Sequence, residues 1–203
     1  MLRHLFFLNI FSLEENVIRK GNWVETHSGA MFYVLDAKEE EINVFDIIHA
    51  LSHLCRFGGH VKHFYSVAQH SLMVWKYLKD IGHGTYIQIL GLIHDFTEGY
   101  MVDLPKPIKE MFPEYTQLED NLFNIILDSF KIKRPTKIEW DIIKDADVAV
   151  LFHEANLLDI NKNEWAPKIN LHYEIKEELP SVVKNELLNK FNEIYNDYKS
   201  IYL

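Results

Sequence analysis

Gly91-Leu92-Ile93-His94-Asp95-Phe96-Thr97-Glu98 is the stretch that decides how this chain folds and what it can hold. The run starts as the apolar end of a helix. An imidazole and a carboxylate then stand side by side, and a second acid follows four residues after the histidine. A helix opening near Thr85 puts Ile87, Leu90 and His94 in one stripe at helical spacing, which turns His94 inward. An inward Asp95 without compensation would cost several kcal/mol, so it demands a cation or donors nearby. On a continuous helix His94 and Glu98 share a face and meet one turn apart.

Two further segments carry matching groups. Upstream, Ser66-Val67-Ala68-Gln69-His70-Ser71-Leu72 opens a helix with a capping-box pattern, Ser66 followed by Gln69. Its inner face holds Val67, His70, Val74 and Leu78. Downstream, Thr136 and Glu139 form a second capping box for a long helix to about Asp159, which carries Lys144-Asp145-Ala146-Asp147. Asp147 aligns with Ile143, Val150, Leu151 and Glu154, a partly apolar face. Asp145 aligns with Asp141 and is the more solvated, so Asp147 is favoured as the partner acid and Asp145 is the alternative. A lone inward histidine is most often a hydrogen-bonded core residue. Two of them from separate helices, one with an adjacent aspartate, point instead to a divalent metal. A His, His, Asp, Asp set leaves positions open for water and substrate, as hydrolysis requires. Glu98 would hold a water beside that metal as general base or orienter, the plain alternative being a solvated helix residue.

The rest of the chain reads as all-α. Phe45 to Leu54 has Ile47, Ile48, Leu51 and Leu54 at helical spacing, and the paired glycines of Arg56-Phe57-Gly58-Gly59-His60 break it into a turn. Asp103-Leu104-Pro105-Lys106-Pro107 is expected to be loop, because two prolines this close cannot continue a helix. Tyr115 to Phe130 is a further helix with Leu118, Leu122, Ile125 and Ile126 inward. Asn161 to Tyr173 is a polar loop. From Pro180 an amphipathic helix carries Val183, Leu187, Phe191, Ile194 and Tyr198 as its apolar row. Trp23 to Leu35 has room for a short β-hairpin around Ser28-Gly29. The expectation is one domain over 1–203, with a helical core about 44–160, an N-terminal extension 1–43, and a C-terminal helix 180–203 packed on it.

Bulk properties limit the function. The chain has 203 residues, 48% of them hydrophobic, enough for one real core. It carries 21 basic against 30 acidic side chains, a formal charge of −9, which disfavours nucleic-acid polymers and anionic membranes. The single cysteine, Cys55, excludes an intrachain disulfide and a cysteine metal knuckle, suits a cytoplasmic setting, and reads as a small buried apolar residue. The apolar start from Met1 to Phe11 is too short to span a bilayer and lacks a small-residue cleavage site. It is expected to pack on the body as strand or helix, or to meet a second subunit. Of the 11 histidines, His4, His27, His83 and His172 are expected at the surface, His49 and His53 in the core or at its rim, and His153 in a structural place. His60 stands apart, in a glycine-rich turn that a ligand can approach closely.

Four blocks in this order resemble the HD-domain phosphohydrolases: Arg56-Phe57-Gly58-Gly59-His60, Phe64 to Ser71, His94 to Glu98, and Asp103 to Lys109. The branch they resemble contains the 5′-deoxynucleotidases and the phage-type dATP triphosphohydrolases, and the similarity covers roughly 47–158. That resemblance implies an HD-type helical bundle with His70, His94, Asp95 and Asp147 as metal ligands. It implies catalytic roles for Glu98, at the nucleophilic water, and for Asp103, near the scissile phosphate. Arg56 corresponds to a phosphate or sugar contact, Lys109 and Lys144 to phosphate contacts, and Pro107 to a wall of the base pocket. For each lysine, ordinary solvated surface is the alternative. Phe57 stands where relatives often have Trp against the deoxyribose, and Gln69 where many have Glu.

The activity so implied is cleavage of the 5′ phosphoester of a deoxynucleotide by a divalent ion (zinc, cobalt, manganese or magnesium). A second magnesium is an option with a triphosphate. The resemblance, the apolar N-terminus and the aromatic C-terminal helix together imply a homo-oligomer. The competing readings are hydrolysis of an alarmone or cyclic nucleotide, against which the Arg56 and Asp103 blocks argue, a non-catalytic nucleotide or metal sensor, against which Glu98 argues, and a di-iron redox enzyme, which would need more histidine ligands.

Overall fold

The computed structural model describes residues 19–203, so the apolar start read above as packing strand or helix, with His4, lies outside the described residues. The architecture is an all-α bundle with a short N-terminal β-hairpin. Among the described residues, no helix is long and apolar enough to cross a membrane.

The hairpin pairs β1 (Val24–Glu25) with β2 (Met31–Phe32), Val24 opposite Phe32 and Glu25 opposite Met31. Phe32 enters the core and stacks on Tyr100, ring centroids 3.8 Å apart. The buried carboxylate of Asp46, on α1 (Val44–His53), fastens the turn. It accepts hydrogen bonds from Thr26 Oγ1, Ser28 N and Ser28 Oγ at 2.7–2.8 Å. Beside it, the exposed His27 ring lies flat on half-buried His49 at 3.5 Å, and His49 stacks on exposed His53 at 4.2 Å.

The bundle follows: α2 (Val67–Asp80), α3 (Thr85–Ile93), α4 (Glu98–Met101), α5 (Lys106–Lys109), α6 (Pro113–Ser129), α7 (Lys137–Leu157) and α8 (Pro180–Tyr202). Both capping boxes form. Ser66 Oγ accepts from Gln69 N while Gln69 Oε1 accepts from Ser66 N, and Thr136 and Glu139 do the same for α7. Reciprocal bonds satisfy amides that a helix start leaves orphaned, which fixes where α2 and α7 begin. The apolar row of α8 is buried along its whole length, on α1, α3 and α2. Of its aromatic residues, Phe191 and Tyr198 are spent inside the subunit, while Tyr195 is half-buried and Tyr202 exposed. The irregular segment between α7 and α8 is tied down by buried His153, which accepts from Leu171 N at Nδ1 and donates from Nε2 to Tyr173 O. That histidine is structural.

Four expectations need correction. Lys106 and Pro107 are not loop but the first turn of α5, where proline's missing N–H is tolerated. Cys55 is only half-buried, in a bridge to Ser66, and His83 is half-buried rather than at the surface. Most important, no single helix joins His94 to Glu98. α3 ends at Ile93, and amides Phe96, Glu98, Gly99 and Tyr100 bond back three residues at 3.0–3.2 Å, a 3₁₀ pattern.

α4 lies directly against α1 at Gly99. A Cβ there would meet Ile47 Cα at 3.0 Å and Ile47 O at 3.2 Å, backbone atoms that cannot swing aside. Gly99→Ala is expected to destabilise the protein by about 1–3 kcal/mol, read from urea melts. An unchanged midpoint would mean that α1 and α4 can part freely.

Candidate metal centre

Three segments bring their polar groups to one point. His70 comes from the inner face of α2, His94 and Asp95 from the tight turn after α3, and Asp147 from α7. His70 Nε2 lies 3.0 Å from Asp147 Oδ1 and 3.6 Å from Asp95 Oδ2, and His94 Nε2 lies 3.2 Å from Asp95 Oδ1 and 3.9 Å from Asp147 Oδ1. One donor atom from each of His70, His94 and Asp95 lies within 4.8 Å of the others, a group that could hold a metal ion. With ion–donor distances near 2.1 Å, neighbouring donors in a tetrahedral or octahedral shell sit roughly 3.0–3.4 Å apart, so these spacings suit one small ion. Asp145 is exposed and takes no part.

The tautomers strengthen the fit. His94 Nδ1 is 2.8 Å from Gly91 O, an atom that only accepts, so Nδ1 carries the proton. His70 Nδ1 donates to Glu154 Oε1 at 2.8 Å. With Nδ1 engaged on both rings, the two Nε2 atoms are the ones left to bind an ion, and both are buried without a hydrogen-bond partner. Two imidazole nitrogens turned toward two carboxylates form a hole for a cation. The field there is negative: burial and Arg56 push the His70 pKa down, yet Glu154 and Asp147 outweigh them and raise it to about 10, so an ion binding at Nε2 would displace a proton. Burial would raise Asp147, but His70 and His94 keep its carboxyl below the usual range. Soft sulfur ligands are absent from the set, and a mixed imidazole–carboxylate set suits zinc, cobalt, manganese or magnesium.

Glu154 went unassigned when the sequence was read. It is fully buried on α7, two turns after Asp147, and its second oxygen accepts from Arg56 Nε at 3.1 Å. One carboxylate thereby orients both a candidate ligand and the buried guanidinium of Arg56. Arg56 in turn approaches Asp95 Oδ2 with Nη1 at 3.9 Å. Burial would lower its pKa, but Glu154, Asp103, Asp95 and Asp147 raise it, so it stays charged. The signal for Glu154 was present: an acid on the apolar row Ile143, Asp147, Val150.

Around this centre stand the remaining candidates. Glu98 is 6% exposed, with Oε2 unpartnered. Burial first, then the charges of Asp95 and Asp103, lift its pKa well above the ordinary value. The 3₁₀ turn explains this, since residues three apart eclipse one another there, so Glu98 stands over Asp95 rather than over His94. Asp103 is half-buried and likewise raised, by burial most, with Arg56 pulling against it. The chain reverses just before it, at Val102, whose φ of +68° is strained for a β-branched residue. The Tyr115 hydroxyl, 2.6 Å from Met101 O and 3.1 Å from Val102 O, braces that reversal. Phe57 is half-buried with the Arg56 guanidinium 5.1 Å from its ring centre, in a turn where Phe57, Gly58 and Gly59 all have positive φ. His60 and Pro107 are exposed. Lys109 is half-buried beside α6. Lys144 is exposed, its ammonium 5.6 Å from the Trp140 ring rather than on the centre.

Comparison with known proteins finds relatives. The chain is 30% identical over 146 residues to the uncharacterized protein YfdR of Escherichia coli, covering 72% of this chain and 78% of that one. It is 32% identical over 108 residues to an uncharacterized protein of Rhodobacter capsulatus, covering 51% of this chain and 55% of the relative. No protein-family model matches it.

Proposed function

The chain belongs to the same family as YfdR of Escherichia coli, and from the centre it carries we propose that it is a metal-dependent phosphohydrolase of the HD-domain type that cleaves the 5′ phosphoester of deoxynucleotides. The observation that supports this most is the pair of buried Nε2 atoms of His70 and His94, without hydrogen-bond partners and turned toward Asp95 and Asp147, with an acid, Glu98, next to them. His70, His94, Asp95 and Asp147 would hold the ion. When bound, a divalent ion supplies positive charge to a phosphoryl oxygen and makes water more acidic.

The chain's own residues do the rest. Glu98 orients the attacking water and takes its proton, and its raised pKa makes it a stronger base than an exposed glutamate once ionised. Arg56, anchored through Nε, offers its remaining N–H groups to the phosphate. Phe57, stacked under Arg56, lines the sugar side. Asp103 stands ready to protonate the departing 5′ oxygen, because burial favours its neutral form. Water attacks phosphorus, the bond to the 5′ oxygen breaks, and nucleoside leaves with phosphate or triphosphate as the co-product. A homo-oligomer is part of the same reading, and light scattering at micromolar concentration tests it directly.

The deciding experiment incubates the protein with deoxy- and ribonucleoside mono- and triphosphates, each with manganese, cobalt, zinc or magnesium, and separates the products. Nucleoside plus orthophosphate from monophosphates, or nucleoside plus intact triphosphate from dATP, supports the reading. No turnover with any pairing, despite tight nucleotide binding, would make the protein a sensor.

A further inference from the structure

Lys109 closes α5, and Glu119 lies across the turn on α6. The Lys109 ammonium donates to both oxygens of Glu119, at 2.8 Å and 3.0 Å, and the two side chains are only 24% and 17% exposed. This is a two-oxygen grip on a partly desolvated cation, stronger than an ordinary surface pair. Lys109 also belongs to the field of the centre. It favours the ionised forms of Glu98 and Asp103, while Glu98 and Asp95 act back on it.

Resting on the phosphohydrolase reading, we propose that Glu119 is a specificity-determining residue: by holding the Lys109 ammonium it leaves the centre short of positive charge for a chain of phosphates, and so favours a nucleotide with one phosphate over one with three. The charge inventory carries this. Arg56 is engaged by Glu154 and faces Asp95. Asp95, Glu98, Asp103, Asp147 and Glu154 all crowd the same region. A single phosphate needs only the ion and Arg56. Two more phosphates need further cations, and Lys109 is the half-buried one, where a phosphate contact counts for most. Lys106 and Lys144 stand in water, where such a contact contributes least. Removing the charge of Glu119 leaves Lys109 protonated, because Glu98 and Asp95 still favour its charged form. The ammonium then becomes available to a distal phosphate.

The test is the affinity of dAMP and dATP, which share a base and sugar, measured by calorimetry with excess magnesium in a Glu98→Gln background that does not consume them. Adding Glu119→Gln is expected to raise the preference for dATP over dAMP by about tenfold, the effect of one freed charge-assisted hydrogen bond. Glu119→Ala should do the same, which guards against a folding defect peculiar to one variant. Adding Lys109→Met to Glu119→Gln should abolish the gain. A ratio that does not move, a gain that survives Lys109→Met, or no nucleotide binding in any variant overturns the proposal. Turnover by the native protein is scored separately. A ratio shift without any hydrolysis would sink the phosphohydrolase reading and leave the Lys109 latch standing, while hydrolysis without a shift would sink only the latch.

Discussion

Glu98→Gln is expected to lower nucleotide turnover by about 10²–10⁴-fold, the range that a positioned proton acceptor contributes. The amide matches the carboxylate in shape. It also relieves a buried group that already resists ionisation and has one unpartnered oxygen. Melting temperature and bound metal per chain should therefore stay at native values while kcat collapses. Metal analysis beside steady-state kinetics separates the two. A variant that keeps a tenth or more of the native kcat would remove Glu98 from the proton transfer.

Glu154 should show the opposite pattern, with stability suffering first. Glu154→Leu leaves the Arg56 guanidinium buried without its main partner and the His70 Nδ1 proton without an acceptor. Breaking one side of a buried pair costs about 3–5 kcal/mol, a large part of the stability of a chain this size. The gentler Glu154→Gln keeps an oxygen for His70 but gives up the charge, and should weaken metal binding by about 10–100-fold. Urea melts on the first and metal titrations on the second check both effects. If Glu154→Leu melts with the native protein, the buried triad Arg56–Glu154–His70 is not what holds α2 to α7.

Local rules located most of the secondary structure. The capping boxes at Ser66 and Thr136 place two helix starts, because a reciprocal pair of hydrogen bonds depends on residues only three apart. The five-residue apolar row of α8 is long enough that burial follows from spacing alone. The site was legible as far as residue type and face go: His70, His94, Asp95 and Asp147 do meet. What escaped depends on tertiary context. A spacing of four between His94 and Glu98 reads as one helical turn. Yet the His94 ring bonds to Gly91 O, and the amides after Ile93 bond back three residues, so Glu98 pairs with Asp95 instead. Glu154 looked like a register mark for Asp147, since periodicity cannot tell a buried acid that accepts two hydrogen bonds from one at a helix rim. Lys109 and Glu119 lie ten residues apart on two short-linked helices, a separation to which no helical period assigns contact.

The three stacked imidazoles under the hairpin carry a cost in acid. Burial lowers the pKa of His49 below the ordinary 6.5, the charges of His53, His27 and Lys184 lower it further, and Asp46 pulls weakly the other way. Below about pH 6.5 the unfolded chain takes up this proton and the folded one refuses it, so stability drains away as the solution is acidified. The loss should start where the stack is clamped: amides 24–32 should show lower protection factors, corrected for intrinsic exchange, at pH 5.5 than at pH 7.5, with those of α2 and α3 unmoved. His49→Phe should flatten that dependence. Because the same hairpin seats Phe32 on Tyr100, two residues after Glu98, a souring solution would loosen this protein from the edge of its candidate metal centre inward.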